Sequence, residues 1–161
     1  VTLTPAPFYF DDFRAGQLFL SQGRTITETD LASFAAWSWD TNPVHTDAVA
    51  AAAGRFGRPI AHGLLGMSIA MGLASRIGVF EACSIALLGV DDWRFLRPVL
   101  VGDTLRCRVE ILAVRRTSAG DAGVLDRAFA VLNQRDEVVQ EGRIGLMVSV
   151  SPARPEVGSA G

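Results

Sequence analysis

The chain contains no lysine, and all 15 of its basic residues are arginine. That excludes a Schiff-base lysine, a phosphate-loop lysine and a lysine general base. Histidine and cysteine are nearly as scarce, with 2 of each among 161 residues. Cys83 and Cys107 lack a CxxC spacing and sit in apolar or strand-like surroundings. They read as buried free thiols in a reducing compartment, with a disulfide between them as the alternative. No uninterrupted apolar run reaches membrane-spanning length. Val1-Thr2-Leu3-Thr4-Pro5 lacks the basic and apolar regions of a signal peptide. A soluble cytoplasmic protein is therefore expected. The net charge of −2 leaves no electrostatic footprint for nucleic acid or an anionic membrane. One local exception is the cluster Arg106, Arg108, Arg115 and Arg116, either a solvated strand face or a phosphate-binding patch.

What is present is apolar material, 49% of residues, in a length suited to one domain with a sizeable core. That domain is expected over residues 1–150, with a loose lead-in at 1–8 and a disordered Pro-, Gly-, Ser- and Ala-rich tail over 151–161. Alternation over Gln17 to Ile26 predicts a strand. Thr27 is placed to cap a helix ending near Trp39, with Asp30 at its positive end. A short helix is expected from Thr46 to Ala53. From His62 to Ile77 almost no polar face remains, and Gly66, Ser68, Gly72 and Ser75 are small. A helix apolar all round must be surrounded by protein. Four strands are predicted beyond it: Ser84 to Leu96, Asp103 to Arg115, Val124 to Leu132 and Val138 to Val150. Their short connections favour antiparallel pairing. The class is α+β: a curved antiparallel sheet wrapped around a long central helix.

The chemistry concentrates at Asp40-Thr41-Asn42-Pro43-Val44-His45 and at Arg58-Pro59-Ile60-Ala61-His62-Gly63. A straight helix would put Asp40 and His45 on different faces. Pro43 bends the chain and pushes Asn42 out of the helical region, so the two side chains can converge. A carboxylate and an imidazole within reach of one water are what general acid-base chemistry requires. Standing alone, the same pair reads as structural, with Asp40 as a helix cap and His45 satisfied by backbone. His62 reads as a helix-start residue hydrogen-bonded into the core. A metal site from His45, Asp47 and His62 lacks supporting spacing and a fourth ligand. Ser68 lies within the helix and lacks the glycine spacing of a nucleophile elbow.

These residues resemble the MaoC-like family of hot-dog-fold hydratases and dehydratases, which includes the (R)-specific enoyl-CoA hydratases. Asp40 to His45 matches the family's Asp-x-Asn-Pro-aliphatic-His pattern, and Arg58 to Gly63 its second block. Asp11 to Gln17, Phe95 to Val99 and Gly102-Asp103 extend the likeness over most of the chain. The resemblance implies reversible addition of water to a trans-2-enoyl thioester, giving the (R)-3-hydroxyacyl product. By it Asp40 and His45 hold the water and exchange protons, in an order the sequence leaves open. The Gly63 N–H polarises the thioester carbonyl, while Asn42, His62 and Ser68 support the pair. A helix N-terminus opened by glycine suits an oxyanion, because it offers unpaired N–H donors at close range.

Relatives commonly carry glycine before the catalytic Asp, and a larger apolar residue where Gly66 stands. Trp39 is therefore expected to line or narrow the acyl pocket, and Gly66 to widen it. The resemblance further implies a homodimer or dimer-based oligomer. Arg55, Arg58 and the Arg106 to Arg116 cluster are candidates to meet the phosphates of CoA. The carrier is CoA or acyl carrier protein, with no cofactor, metal, nucleic acid or membrane involved. A hot-dog thioesterase and a non-catalytic acyl-thioester binding module are the alternatives.

Overall fold

A computed structural model of the chain describes residues 7–152; the expected lead-in and tail fall largely outside that range. After a 3-10 turn at Phe10–Asp12, the single strand expected over 17–26 is two: β1 (Leu18–Leu20) and β2 (Arg24–Thr25). Between them Ser21 turns inward, and its Oγ accepts from the Cys107 N–H at 2.8 Å. Gly23 follows, where a Cβ would come within 3.0 Å of Thr104. Both features interrupt the ladder while keeping the chain against the same partner strand.

Helix α1 (Glu28–Ser38) starts where its cap dictates: Thr27 Oγ1 accepts from Asp30 N–H at 3.3 Å, and the Asp30 carboxylate accepts from Thr27 N–H at 2.8 Å. Such reciprocal capping satisfies two otherwise orphaned donors. The short helix expected next is α3 (Ala48–Ala53), and the turn before it holds a further short helix, α2 (Pro43–Thr46). Asp47 divides them because its side chain caps α3, accepting from Val49 and Ala50 N–H at 2.9 Å each. Pro43 occupies the first helical position of α2, where its fixed φ and missing N–H cost nothing.

Helix α4 (Gly63–Ser75) has 13 residues, about 20 Å. Four long strands follow: β3 (Ser84–Phe95), β4 (Thr104–Arg116), β5 (Ala122–Leu132) and β6 (Val138–Ser149). They lie in the order β1-β4-β5-β6-β3, with β2 also on β4, and every pairing is antiparallel. Alternation on β4 turns Leu105, Cys107, Val109 and Ile111 inward. They share one core with Leu125, Ile144 and Val148 of the sheet and with Ile69, Ala70 and Leu73 of α4. Each large side chain buried there contributes about 1.5–3 kcal/mol. Cys83 and Cys107 are buried and free.

The sheet wraps one side of α4, while Leu64, Ser68, Gly72 and Ser75 form an exposed stripe along the other. Strand β3 is likewise exposed along nearly all its length and pairs only with β6. A helix face of small residues with Leu64, and an apolar edge strand, are thus left uncovered by this chain.

Candidate active site

Asp40 is delivered by the end of α1. Trp39 closes that helix at φ 63°, ψ 9°, in the left-handed region that glycine adopts freely and bulky residues resist. Ser38 Oγ accepts from the Asp40 N–H at 3.2 Å. The turn that follows is held by its own side chains. Asn42 Oδ1 accepts from Val44 N–H at 3.1 Å, and Thr46 Oγ1 donates to the Thr41 carbonyl at 3.0 Å. Asn42 therefore supports the site by capping the helix that carries His45.

His45 Nδ1 lies 2.8 Å from the Ile60 carbonyl, which can only accept, so Nδ1 carries a hydrogen. In the neutral ring Nε2 is then an acceptor, 3.9 Å from Asp40 Oδ2. Two acceptors at that separation suit a water that donates one hydrogen to each. His62 Nε2 lies 2.8 Å from the Asp40 main-chain carbonyl and by the same argument carries its hydrogen there. Its ring stacks on His45 with centroids 3.8 Å apart and planes at 26°. His62 is buried as a core residue, and its Nδ1 acceptor has no partner among the described residues.

Asp40, His45 and His62 offer ligand atoms within 4.8 Å of one another, the grouping a metal would use. The Asp40 carboxylate and His45 imidazole, two acceptors 3.9 Å apart, also suit proton exchange with a water.

These groups open onto a cavity of about 840 Å³. Gly63, at the first position of α4, faces it alongside Asp40 and His45. The remaining wall is mainly apolar and aromatic, from Phe34, Trp37, Phe56, Ile60, Leu64 and Phe95. Unpaired N–H donors at a helix start, in an apolar enclosure, can stabilise negative charge on an oxygen.

The predicted residues sort clearly. Asp40, His45, His62 and Gly63 come together, and Arg55 lines the same cavity. Trp39 does not: its ring is 88% exposed and outside the cavity wall, and Trp37 occupies the place expected for it. Ser68 sits on the exposed stripe of α4 beside Arg24, Gly72 and Arg76, with no hydrogen bond to Asp40 or His45. Five residues past Gly63, the helical rotation carries it away from the site.

Gly66 does not widen the pocket, because the Gln140 side chain fills the space beside it. Arg58 donates to the Val101 carbonyl at 3.4 Å and lines a separate depression. Arg106 is paired with Asp136 and Arg116 with Asp11. Arg108 and Arg115 are exposed on β4, and none of the four lines the cavity. Arg97, Phe95 and Gln140 do line it. Phe95 and Arg97 belong to the Phe95 to Val99 segment, which carried no site role in the sequence reading, and Gln140 on β6 has no motif to mark it.

Known proteins resemble this chain in sequence and in fold. The profile of the family described as MaoC like domain matches residues 13–127. Protein MaoC of Klebsiella aerogenes is 39% identical over 101 residues, covering 63% of this chain and 30% of that protein's length. The (R)-specific enoyl-CoA hydratase of Rhodospirillum rubrum is 33% identical over 103 residues, 64% of this chain and 69% of that enzyme. Among solved structures, a conserved hypothetical protein of Mycobacterium tuberculosis with a double hot-dog fold superposes with TM-score 0.83 at 26% identity. The match covers 95% of this chain and 47% of that one, so the chain corresponds to one hot-dog unit. With its motifs on one cavity and its sheet packed on α4, this chain belongs to the MaoC-like domain family and has the hot-dog fold.

Proposed function

We propose that the protein catalyses reversible hydration of trans-2-enoyl thioesters to (R)-3-hydroxyacyl thioesters. The observation that carries this reading is the 3.9 Å pairing of Asp40 with the acceptor nitrogen of His45, beside the glycine-opened start of α4. The hydratase names among the relatives add support.

In this mechanism the water donates one hydrogen to His45 Nε2 and one to Asp40, leaving an oxygen lone pair directed at the β-carbon. As the C–O bond forms, one water proton passes to the acid-base pair, and the double-bond electrons move toward the thioester oxygen. The Gly63 N–H receives that charge. A donor of this kind is worth about 3 kcal/mol in the transition state. Return of a proton from the pair to the α-carbon completes the addition. The apolar walls hold the acyl chain and strengthen each electrostatic contact by excluding water. CoA is the carrier proposed, with Arg55 at the cavity available to its phosphates, while Arg97 beside it is engaged by Glu137 and the Val138 carbonyl. No cofactor enters the scheme.

A second copy of the chain completes the proposal. Ile85, Leu87, Leu88 and Val90 of β3 are each about half exposed on an unpaired sheet edge. Native proteins rarely leave such an edge open.

Incubation with crotonyl-CoA tests the chemistry. Loss of the enoyl absorbance without free thiol, with an (R)-configured product, is expected. It should fall on the order of 10²–10⁴-fold in both Asp40→Asn and His45→Ala. Free thiol would identify a thioesterase instead. Binding without turnover would identify an acyl-thioester binding module.

A further inference from the structure

The cavity wall contains one buried side-chain amide that the proposed chemistry does not use. Gln140, on β6, is 2% exposed. Its Nε2 donates to the Gly63 carbonyl at 3.1 Å, and its Oε1 accepts from Trp93 Nε1 at 3.2 Å. Strands β6 and β3 are thereby tied to the first residue of α4 through a single amide.

Two glycines make that amide fit. A Cβ on Gly66 would overlap the Gln140 amide, coming within 2.9 Å of its Cδ. A Cβ on Gly142 would lie 2.6 Å from the Trp93 ring. Neither glycine has a positive φ, so each is required for space and not for backbone conformation. Glycine inside a helix costs roughly 0.5–1 kcal/mol relative to alanine. Gly66 therefore carries that cost to admit Gln140 against the helix.

The contact falls where α4 needs it. The first intrahelical bond, Gly66 N–H to the His62 carbonyl, is long at 3.3 Å. His62 is the N-cap, and its side chain makes no cap hydrogen bond. The opening turn is thus weakly held from within, and Gln140 holds it from the sheet. A donor misplaced by about 1 Å can cost on the order of 10²-fold in rate.

Resting on the hydratase reading above, we infer that Gln140 is a positioning residue for the oxyanion donor. Its amide fixes the first turn of α4 through the Gly63 carbonyl, so that the Gly63 N–H meets the thioester oxygen as charge develops there.

The test is the set Gln140→Ala, Gly66→Ala and the double variant, with crotonyl-CoA turnover, thermal unfolding and peptide-resolved amide hydrogen exchange. Each single variant is expected to lose about ten- to a hundredfold in kcat with KM changed less than about threefold. In Gln140→Ala the anchor is absent; in Gly66→Ala the new methyl displaces it. In the double variant the methyl added by Gly66→Ala enters the volume left by the amide. Its thermal midpoint should recover relative to the single variants while kcat stays low. Recovery of kcat together with the midpoint would overturn the inference, since Gln140 would then be only a space filler.

Amide exchange across residues 62–67 reads the anchor without turnover and should quicken about tenfold in the double variant; unchanged exchange would also overturn it. A wild-type protein inactive on crotonyl-CoA would sink the hydratase reading alone, and the exchange result would still decide the anchor.

Discussion

His62 donates to the main-chain carbonyl of Asp40 across 2.8 Å, so the second histidine of the chain is a tether for the carboxylate-bearing residue. Its ring also stacks on His45, which places one side chain against both members of the acid-base pair. His62→Phe keeps a stacking ring and removes the donor. We expect kcat to fall about ten- to a hundredfold, because Asp40 loses its backbone anchor. His62→Gln, which retains a donor of similar reach, should recover part of that loss. Steady-state kinetics of the two variants checks this; equal defects would show that the hydrogen bond is not what positions Asp40.

Trp39 offers a prediction in the opposite direction. Its left-handed φ of 63° costs about 1–2 kcal/mol for a side chain of this kind. The exposed ring contributes little burial in return. Trp39→Gly removes the strain, partly offset by about 0.4–1 kcal/mol of unfolded-state entropy. A net stabilisation of about 0.5 kcal/mol is expected in denaturant unfolding, with kcat and KM for the enoyl thioester changed less than about twofold. A large KM change would put Trp39 in the acyl pocket after all.

The difference between Trp39 and Gln140 shows what the sequence could and could not disclose. The four long strands, the capped start of α1 at Thr27, and the grouping of Asp40, His45 and Gly63 were all legible. Each follows from local pattern: alternation, capping chemistry, or a turn that Pro43 enforces. Trp39 was misread because the residue before a catalytic aspartate invites a pocket role, while the sign of its φ is invisible in sequence. Gln140 was missed because Trp93 is brought to it only by sheet register, and Gly63 and Gly66 only by the packing of α4 on the sheet. The hydrophobicity of α4 was legible too, but which of its faces the sheet covers was not.

Cys107 makes stability depend on alkaline pH. Burial pushes its thiol from an ordinary 9.0 up to about 12, with the nearby Arg127 guanidinium working weakly the other way. A raised thiol pKa means the folded state keeps a proton that the unfolded state loses. The contribution is fully present below about pH 9 and is lost as pH rises toward about 12. Cys83, raised by burial as well, acts in the same sense. Arg127 is lowered by burial to about 10, so its effect has the opposite sign and begins only above that value. Between about pH 8 and 10 the thiols dominate, and the denaturant midpoint should fall. Cys107→Ala should have a lower baseline stability but a flatter profile over that window. An equally steep profile in the variant would remove Cys107 as the cause.

Edge strand β3 carries the last prediction. Leu87 is 56% exposed on a strand whose other edge pairs with β6, and Leu64 on α4 is 57% exposed. An apolar edge strand left open in one chain is the surface a second copy would cover. Light scattering of the purified protein is expected to give the mass of a dimer or a multiple of it. Leu87→Asp places a charge where the partner would exclude water, and a desolvated unpaired carboxylate costs several kcal/mol. The variant should therefore shift to monomer at micromolar concentration. The side chain is half exposed within the chain, so the fold itself should survive, as far-ultraviolet circular dichroism would show. A wild-type monomer, or an unchanged mass in Leu87→Asp, would mean that β3 is not the contact between copies.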